Sequence, residues 1–339
     1  MNGGRSDLRV DQWSQKRFAG LFKGVRSDSK DRSMEAAMQT TGKQKLKREI
    51  PLYVMLMPAV IITVIYSYGP MVGTSIAFQR FLPGKGLFGS PFTGLDNFLY
   101  MFKMPNILSV IYNTVFISLM KMVLGIIVPV TSALLLNEVV HTTYKRVVQT
   151  IIYLPYFLSW VILSGILITI LSPSEGVVNQ LLGYLGVEPI FFLGDERIFP
   201  YTIVATDIWK NFGFGTIVYL SALTSIDPNL YEASVIDGAN RWQQTKHITL
   251  PGISTTIILL SVLSMSNILN AGFEQIFNLY SPTVYKTGDI IDTLVYRTGI
   301  QNYQFGVATA VGLMKSLVVL ILIAVSNKAA EKIAGYRVF

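Results

Sequence analysis

Residues 225–253 read SIDPNLYEASVIDGANRWQQTKHITLPGI. This polar, periodic stretch sits between two long apolar runs, at about 200–223 and 253–270. Asp227 followed by Pro228 predicts a helix start: the carboxylate accepts from free backbone N–H groups, and proline at the first helical position gives up a bond it would not have made. Tyr231, Val235, Ala239 and Trp242 recur at helical spacing and predict one apolar face. Gly238 permits a turn or a close backbone approach. Leu250-Pro251 is expected to end the segment where the next run begins. The stretch therefore reads as two short amphipathic helices on a membrane surface, separated by a glycine.

Working outward, the chain is an all-α membrane protein. Its 339 residues are 51% hydrophobic and only 14% charged, against roughly 25% charged for a soluble domain. An apolar helix of at least about 18 residues spans the hydrocarbon core. Six such spans are expected: about 52–78, 108–136, 149–171, 200–223, 253–270 and 307–326. Gly69-Pro70 predicts a kink or break in the first. Connecting segments such as 81–98 and 278–299 are rich in aromatic and turn residues, and short helices on the membrane face or against a partner are expected there.

Charge sets the expected orientation. Twelve of the 28 Lys and Arg lie in residues 1–50, read as a flexible basic cytoplasmic tail ahead of a six-span domain over 51–339. With both termini inside, the cytoplasmic segments hold 19 basic residues, the external loops 6 and the spans 3, as the positive-inside rule requires. The first apolar run begins past residue 50, so no cleavable signal peptide is read. Basic flanks of spans are routine, and no nucleic-acid role is assigned to the +8 net charge.

Several chemistries are excluded. There is no cysteine, and the two histidines, His141 and His247, are far apart. Neither a metal site nor a catalytic triad is expected, and no catalytic residue is assigned. Asp289 and Asp292 could suggest glycoside hydrolysis, but carboxylates in a solvated loop are common. No G-x-x-x-x-G-K-[ST] phosphate loop is present.

Glu232-Ala233-Ser234, three residues, Gly238, nine residues, then Ile248-Thr249-Leu250-Pro251 resembles the EAA loop of ABC importer permeases. Ser234 stands where that pattern has alanine. PFTGLDNF (91–98), GFEQIFNLYSPTVY (272–285) and IDTLVYRTG (291–299) resemble the carbohydrate-uptake branch that imports complex saccharides. The resemblance implies a type I importer permease fold, with segment 225–252 as a cytoplasmic coupling loop. Tyr231, Glu232, Ala233, Ser234, Asp237, Gly238, Ile248, Leu250 and Pro251 are its coupling residues. It implies four partners besides the bilayer: a second homologous permease, a cytoplasmic ATPase dimer that holds the ATP and Mg, an extracellular solute-binding protein and a saccharide. The chain itself is expected to bind no cofactor and to reside in a bacterial plasma membrane as a non-enzymatic transport subunit. An ion-coupled secondary sugar transporter is the alternative, since it too uses broken helices and intramembrane charge.

Candidate substrate-path residues are the polar groups within spans. Intramembrane charges face partners or water-filled cavities, which singles out Lys121, Lys210 and Lys315. Asp207 and Lys210, three apart, are expected to pair. Should the lysines share one cavity, an acidic sugar becomes the attractive substrate. Sugar sites combine aromatic faces with amides, which adds Trp209, Asn211, Asn267, Asn270 and Glu274. The two last asparagines are expected on one face of the fifth span.

Overall fold

The computed structural model describes residues 42–265 and 267–334. The expected tail falls largely outside them. Among the described residues there is no strand, only a single bridge between Gln79 and Phe92. The chain divides after Val72 into two compact units.

The first unit holds helix α1, Gly42–Thr63, which begins ahead of the expected span. It continues as a π turn, Val64–Tyr68, and the chain passes out of this unit within a 3-10 helix, Gly69–Phe78. Proline at 70 does not break it. The Gly69 N–H reaches back to the Val64 carbonyl, and the switch of helix type accommodates the N–H that proline lacks.

In the second unit, α2 (Asp96–Lys103) precedes the long α3 (Ile107–Asn137). Then come α4 (Thr142–Tyr153), α5 (Trp160–Ile170) and α6 (Val177–Tyr184). Helix α7 (Phe199–Leu223) is followed by α8 (Pro228–Ile236) and α9 (Arg241–Gln244). The chain closes with α10 (Leu250–Met265), α11 (Phe273–Leu279), α12 (Ile291–Tyr296) and α13 (Phe305–Ala334). The short helices α2, α6, α11 and α12 occupy connecting segments as expected, but α11 and α12 bury Ile276, Leu279, Ile291 and Leu294 in the core instead of lying on its surface.

Glu49–Phe78, Ile107–Asn137, Arg241–Met265 and Phe305–Val325 are long and apolar enough to cross a membrane. Helix α7 is 25 residues long and less apolar, because it carries Asp207 and Lys210. The expected third span, 149–171, is not one helix. Thr142–Phe157 and Trp160–Ile170 meet at 108°. Pro155 opens a 3-10 turn over Leu154–Phe157, Leu158 is extended, and the Ser159 hydroxyl caps α5 by accepting from the Ile162 N–H at 3.3 Å. Stop and start signals therefore lie inside one apolar run, where hydropathy does not register them.

The fifth span is also displaced. Pro251 does not separate loop from span: α9 runs into α10 through a π turn, Thr245–Thr249, in which the Leu250 N–H donates to the Thr245 carbonyl. The helix then ends at Met265 instead of 270.

Three apolar clusters hold this unit together. Ile117, Leu163, Phe199, Ile203 and Ile276 join α3, α5, α7 and α11. Val130, Ala133, Tyr219, Leu223 and Ile253 join α3, α7 and α10. Met101, Val110, Ile291, Leu294 and Val311 join α2, α3, α12 and α13. Burial of such side chains contributes about 1.5–3 kcal/mol each in water. Inside lipid the same contacts act through close packing.

Candidate functional site

Two places combine the predicted residues. The first is the elbow between α7 and α10. The Asp227 carboxylate accepts from the Asn229 N–H at 2.9 Å, capping α8 as its spacing predicts. Helix α8 stops at Gly238, whose φ of +78° favours glycine. Asn240 and Gln243 then form a reciprocal capping box that starts α9. The helix is interrupted at Gly238, so the predicted apolar face of Tyr231, Val235, Ala239 and Trp242 does not form. Tyr231 turns inward, its hydroxyl 3.0 Å from that of Thr249, while Val235 and Trp242 are exposed.

Ser234 has a defined job. Its hydroxyl donates to the Tyr231 carbonyl at 2.7 Å and accepts from the Gln244 amide at 3.1 Å. Together with Tyr231–Thr249 this latches α8 to the base of α10. Ile226 packs against Gly252 closely enough that a Cβ there would lie 2.7 Å from its Cδ1. One side of the elbow is thus tied to the base of α10. On the other side Val235 is 64%, Ile236 86% and Trp242 73% exposed. Glu232 is exposed as well.

The second place is a cavity of about 970 Å³ against one face of α13. Asn267, Asn270, Phe273, Tyr296, Thr309 and the Asp292–Lys315 pair are among its lining groups. The two asparagines are not on a helix face, because α10 has already ended. They lie in the turn that follows, where the Asn270 N–H donates to the Asn267 carbonyl at 2.8 Å. The Asn270 side chain accepts from the Gly272 N–H at 3.4 Å. Lys315 donates to Asp292 at 2.5 Å. Aromatic faces, amides and hydroxyls thus line one apolar-walled space, the combination that suits a pyranose.

The remaining path residues are not part of this lining. Asp207 and Lys210 do not pair with each other. Asp207 instead accepts from Lys121 at 3.1 Å. Lys210, 7% exposed, donates to the Tyr156 carbonyl at 2.8 Å and lies over the rings of Tyr156 and Trp160. It thereby serves the end of the helix broken at Leu158. Lys121 also donates to the Ala271 carbonyl at 2.7 Å and the Gln275 side chain at 2.5 Å. The three lysines therefore do not converge on one cationic cavity. Trp209 is 44% exposed, Asn211 half-buried, and Glu274 exposed on α11. Asp289 is buried and bound by Arg297 and Thr293, and the part-exposed Asp292 is paired with Lys315.

Sequence reading missed Phe273, Tyr296, Asp292 and Thr309 as cavity residues. A signal existed in α13, where Ala308, Thr309, Gly312 and Ser316 make a small, polar stripe along an otherwise apolar helix. Phe273, Asp292 and Tyr296 lie in 272–285 and 291–299, segments that carry the resemblance, but no local pattern joins them, because they come from separate short helices.

A multi-helix membrane unit with broken spans, an exposed latched elbow and a lined cavity defines a transport component. The chain belongs to the family described as binding-protein-dependent transport system inner membrane component, whose model matches residues 122–333. It is 39% identical to the polygalacturonan/rhamnogalacturonan transport system permease protein YteP of Bacillus subtilis (strain 168), over 85% of this chain and 90% of that one. It is 40% identical to Protein LplB of the same organism, over 88% and 95%. Among solved structures it superposes with TM-score 0.79 and 40% identity on a bacterial ABC transporter involved in import of the acidic polysaccharide alginate. That match covers 86% of this chain and 98% of that one. A second match, TM-score 0.80, 39% identity and 87% and 99% coverage, is a bacterial alginate ABC transporter in complex with an alginate pentasaccharide-bound periplasmic protein. The resemblance to carbohydrate-uptake ABC permeases is borne out. The ion-coupled alternative finds no support.

Proposed function

We propose that this permease carries a saccharide of several residues, uronate-containing chains included, through the cavity beside α13. A separate ATPase dimer, with its own ATP and Mg, drives the transport. A solute-binding protein delivers the sugar from outside, and a second permease completes the pathway. The elbow and both termini face the cytoplasm of a bacterial cell.

The observation that carries the coupling reading is the two-sided elbow. One side is tied to α10 through Ser234–Gln244 and Tyr231–Thr249. The other offers Val235, Ile236 and Trp242 to a neighbour. A partner that grips the exposed side moves α10 with it, and α10 leads to the asparagines of the cavity. A rigid lever of this kind converts closure of two ATPases into reorientation of the spans. Glu232 supplies a negative charge to a basic group on that partner. Asp237 ends α8 beside Gly238, and Ile248, Leu250 and Pro251 lie on the helix that carries the motion.

The acidic class is supported by the substrates of similar proteins, polygalacturonan and alginate. It does not rest on free cations, since Lys121 and Lys315 are paired. Uptake of an oligogalacturonide and of a neutral oligosaccharide of equal length, with the purified complex in vesicles, tests the reading. The acidic chain should be taken up faster, and only with ATP. Glu232→Lys and Gly238→Val should lower ATPase co-purification without altering the amount of permease in the membrane. Unchanged co-purification with both would refute the coupling assignment.

A further inference from the structure

We propose that Lys121 is a positioning residue: it fixes the turn 267–272, and through it the amides of the saccharide cavity, without touching the sugar. The geometry converges on one ammonium group. Its side chain is 9% exposed. Its three donors are all used, on Asp207, the Ala271 carbonyl and the Gln275 side chain. Gln275, fully buried, in turn donates to the Ile203 carbonyl and the Thr206 hydroxyl, both at 2.8 Å. Lysine from α3, aspartate and threonine from α7 and glutamine from α11 thus form a closed set with no donor left over for a ligand. A buried charge satisfied in this way is costly to disturb and holds its partners in one geometry.

Gly272 shows how tightly the turn is drawn in. Its φ is +91°, and a Cβ on it would lie 2.8 Å from the Lys121 nitrogen. The turn can approach the ammonium only as glycine, and its neighbours Asn270 and Phe273 line the cavity. The inference rests on the cavity being the sugar path, but its central test does not.

The chain has no cysteine, so Ala271→Cys, at a fully buried position of the turn, gives a unique probe of it. Its maleimide labelling should rise about fivefold when Lys121→Met and Asp207→Leu are combined, because the turn then opens locally. That pair removes both charges together, which spares the fold an unpaired ion. Tyr184→Cys, on an 88% exposed side chain elsewhere, should label equally in both backgrounds. Unchanged labelling at 271 overturns the inference, whatever uptake does. In the complex, the double variant should raise the half-saturating oligogalacturonide concentration about tenfold with the maximal rate within about twofold. Lys121→Arg keeps the charge but does not fit beside Gly272, and should not restore it. Restoration by arginine would mean that charge, not position, is what counts. Asn270→Ala tests the cavity itself: no effect on uptake there, with labelling altered as expected, would refute the sugar path and leave the positioning intact.

Discussion

Lys210 lies in the middle of an apolar helix, yet its ammonium is used by the backbone of another. It donates to the Tyr156 carbonyl next to the break at Leu158 and lies over two aromatic rings. Lys210→Met should therefore destabilise the protein by about 1–3 kcal/mol, the cost of a buried acceptor left without a donor, read as a lower melting temperature in detergent. Lys121–Asp207 should survive, since neither partner depends on Lys210. At the loop surface, burial and then the neighbouring Tyr285 push the Tyr280 phenol up to about 12, from an ordinary value of about 10. A raised acid favours the folded state while the phenol is neutral. That stabilisation is whole below about pH 10 and is lost as the pH rises toward about 12. Phenolate absorbance of wild type against Tyr280→Phe should show one tyrosine titrating late.

Among the elements, the broken pair α4 and α5 most exceeds what hydropathy conveys. Ser159→Ala removes the cap of α5 and should cost about 1 kcal/mol, measured by thermal unfolding. Helix α4 presses on α7 at Gly213, where a Cβ would lie 2.1 Å from the Ile152 carbonyl oxygen. Gly213→Ala should force the two helices apart and lower the yield of folded protein more than Ser159→Ala does. In the elbow, Ser234→Ala with Gln244→Leu removes one latch while leaving the exposed side untouched. ATPase co-purification should persist while sugar taken up per ATP hydrolysed falls several-fold. Loss of co-purification instead would show that the latch shapes the docking face and not the transmission.

For the whole molecule, orientation is the open physical statement, and the absence of cysteine makes it simple to read. Single cysteines at Trp242 and at Tyr184, both well exposed, should react with a membrane-impermeant maleimide from opposite sides of the bilayer, Trp242 only from the cytoplasm. Reaction of both from outside would overturn the proposed topology and with it the ATPase docking.

Composition and hydropathy alone determined an α-helical membrane protein with a polar elbow between two late spans, because lipid forces backbone hydrogen bonds into helices and leaves long apolar runs as their mark. The Asp227-Pro228 helix start and the Gly238 turn were legible for the same local reason: capping and positive φ depend on neighbours in sequence. Partnerships between charges were not. Asp207 looked paired with Lys210 three residues on, yet Lys121, 86 residues away, takes it, since a buried ion binds whatever opposite charge packing brings within reach. The break inside 142–170 and the passage through Pro251 likewise depend on backbone bonds that proline shifts without changing hydropathy. The cavity was the least legible feature, because its amides, rings and ion pair come from a turn and three helices that only tertiary packing brings together.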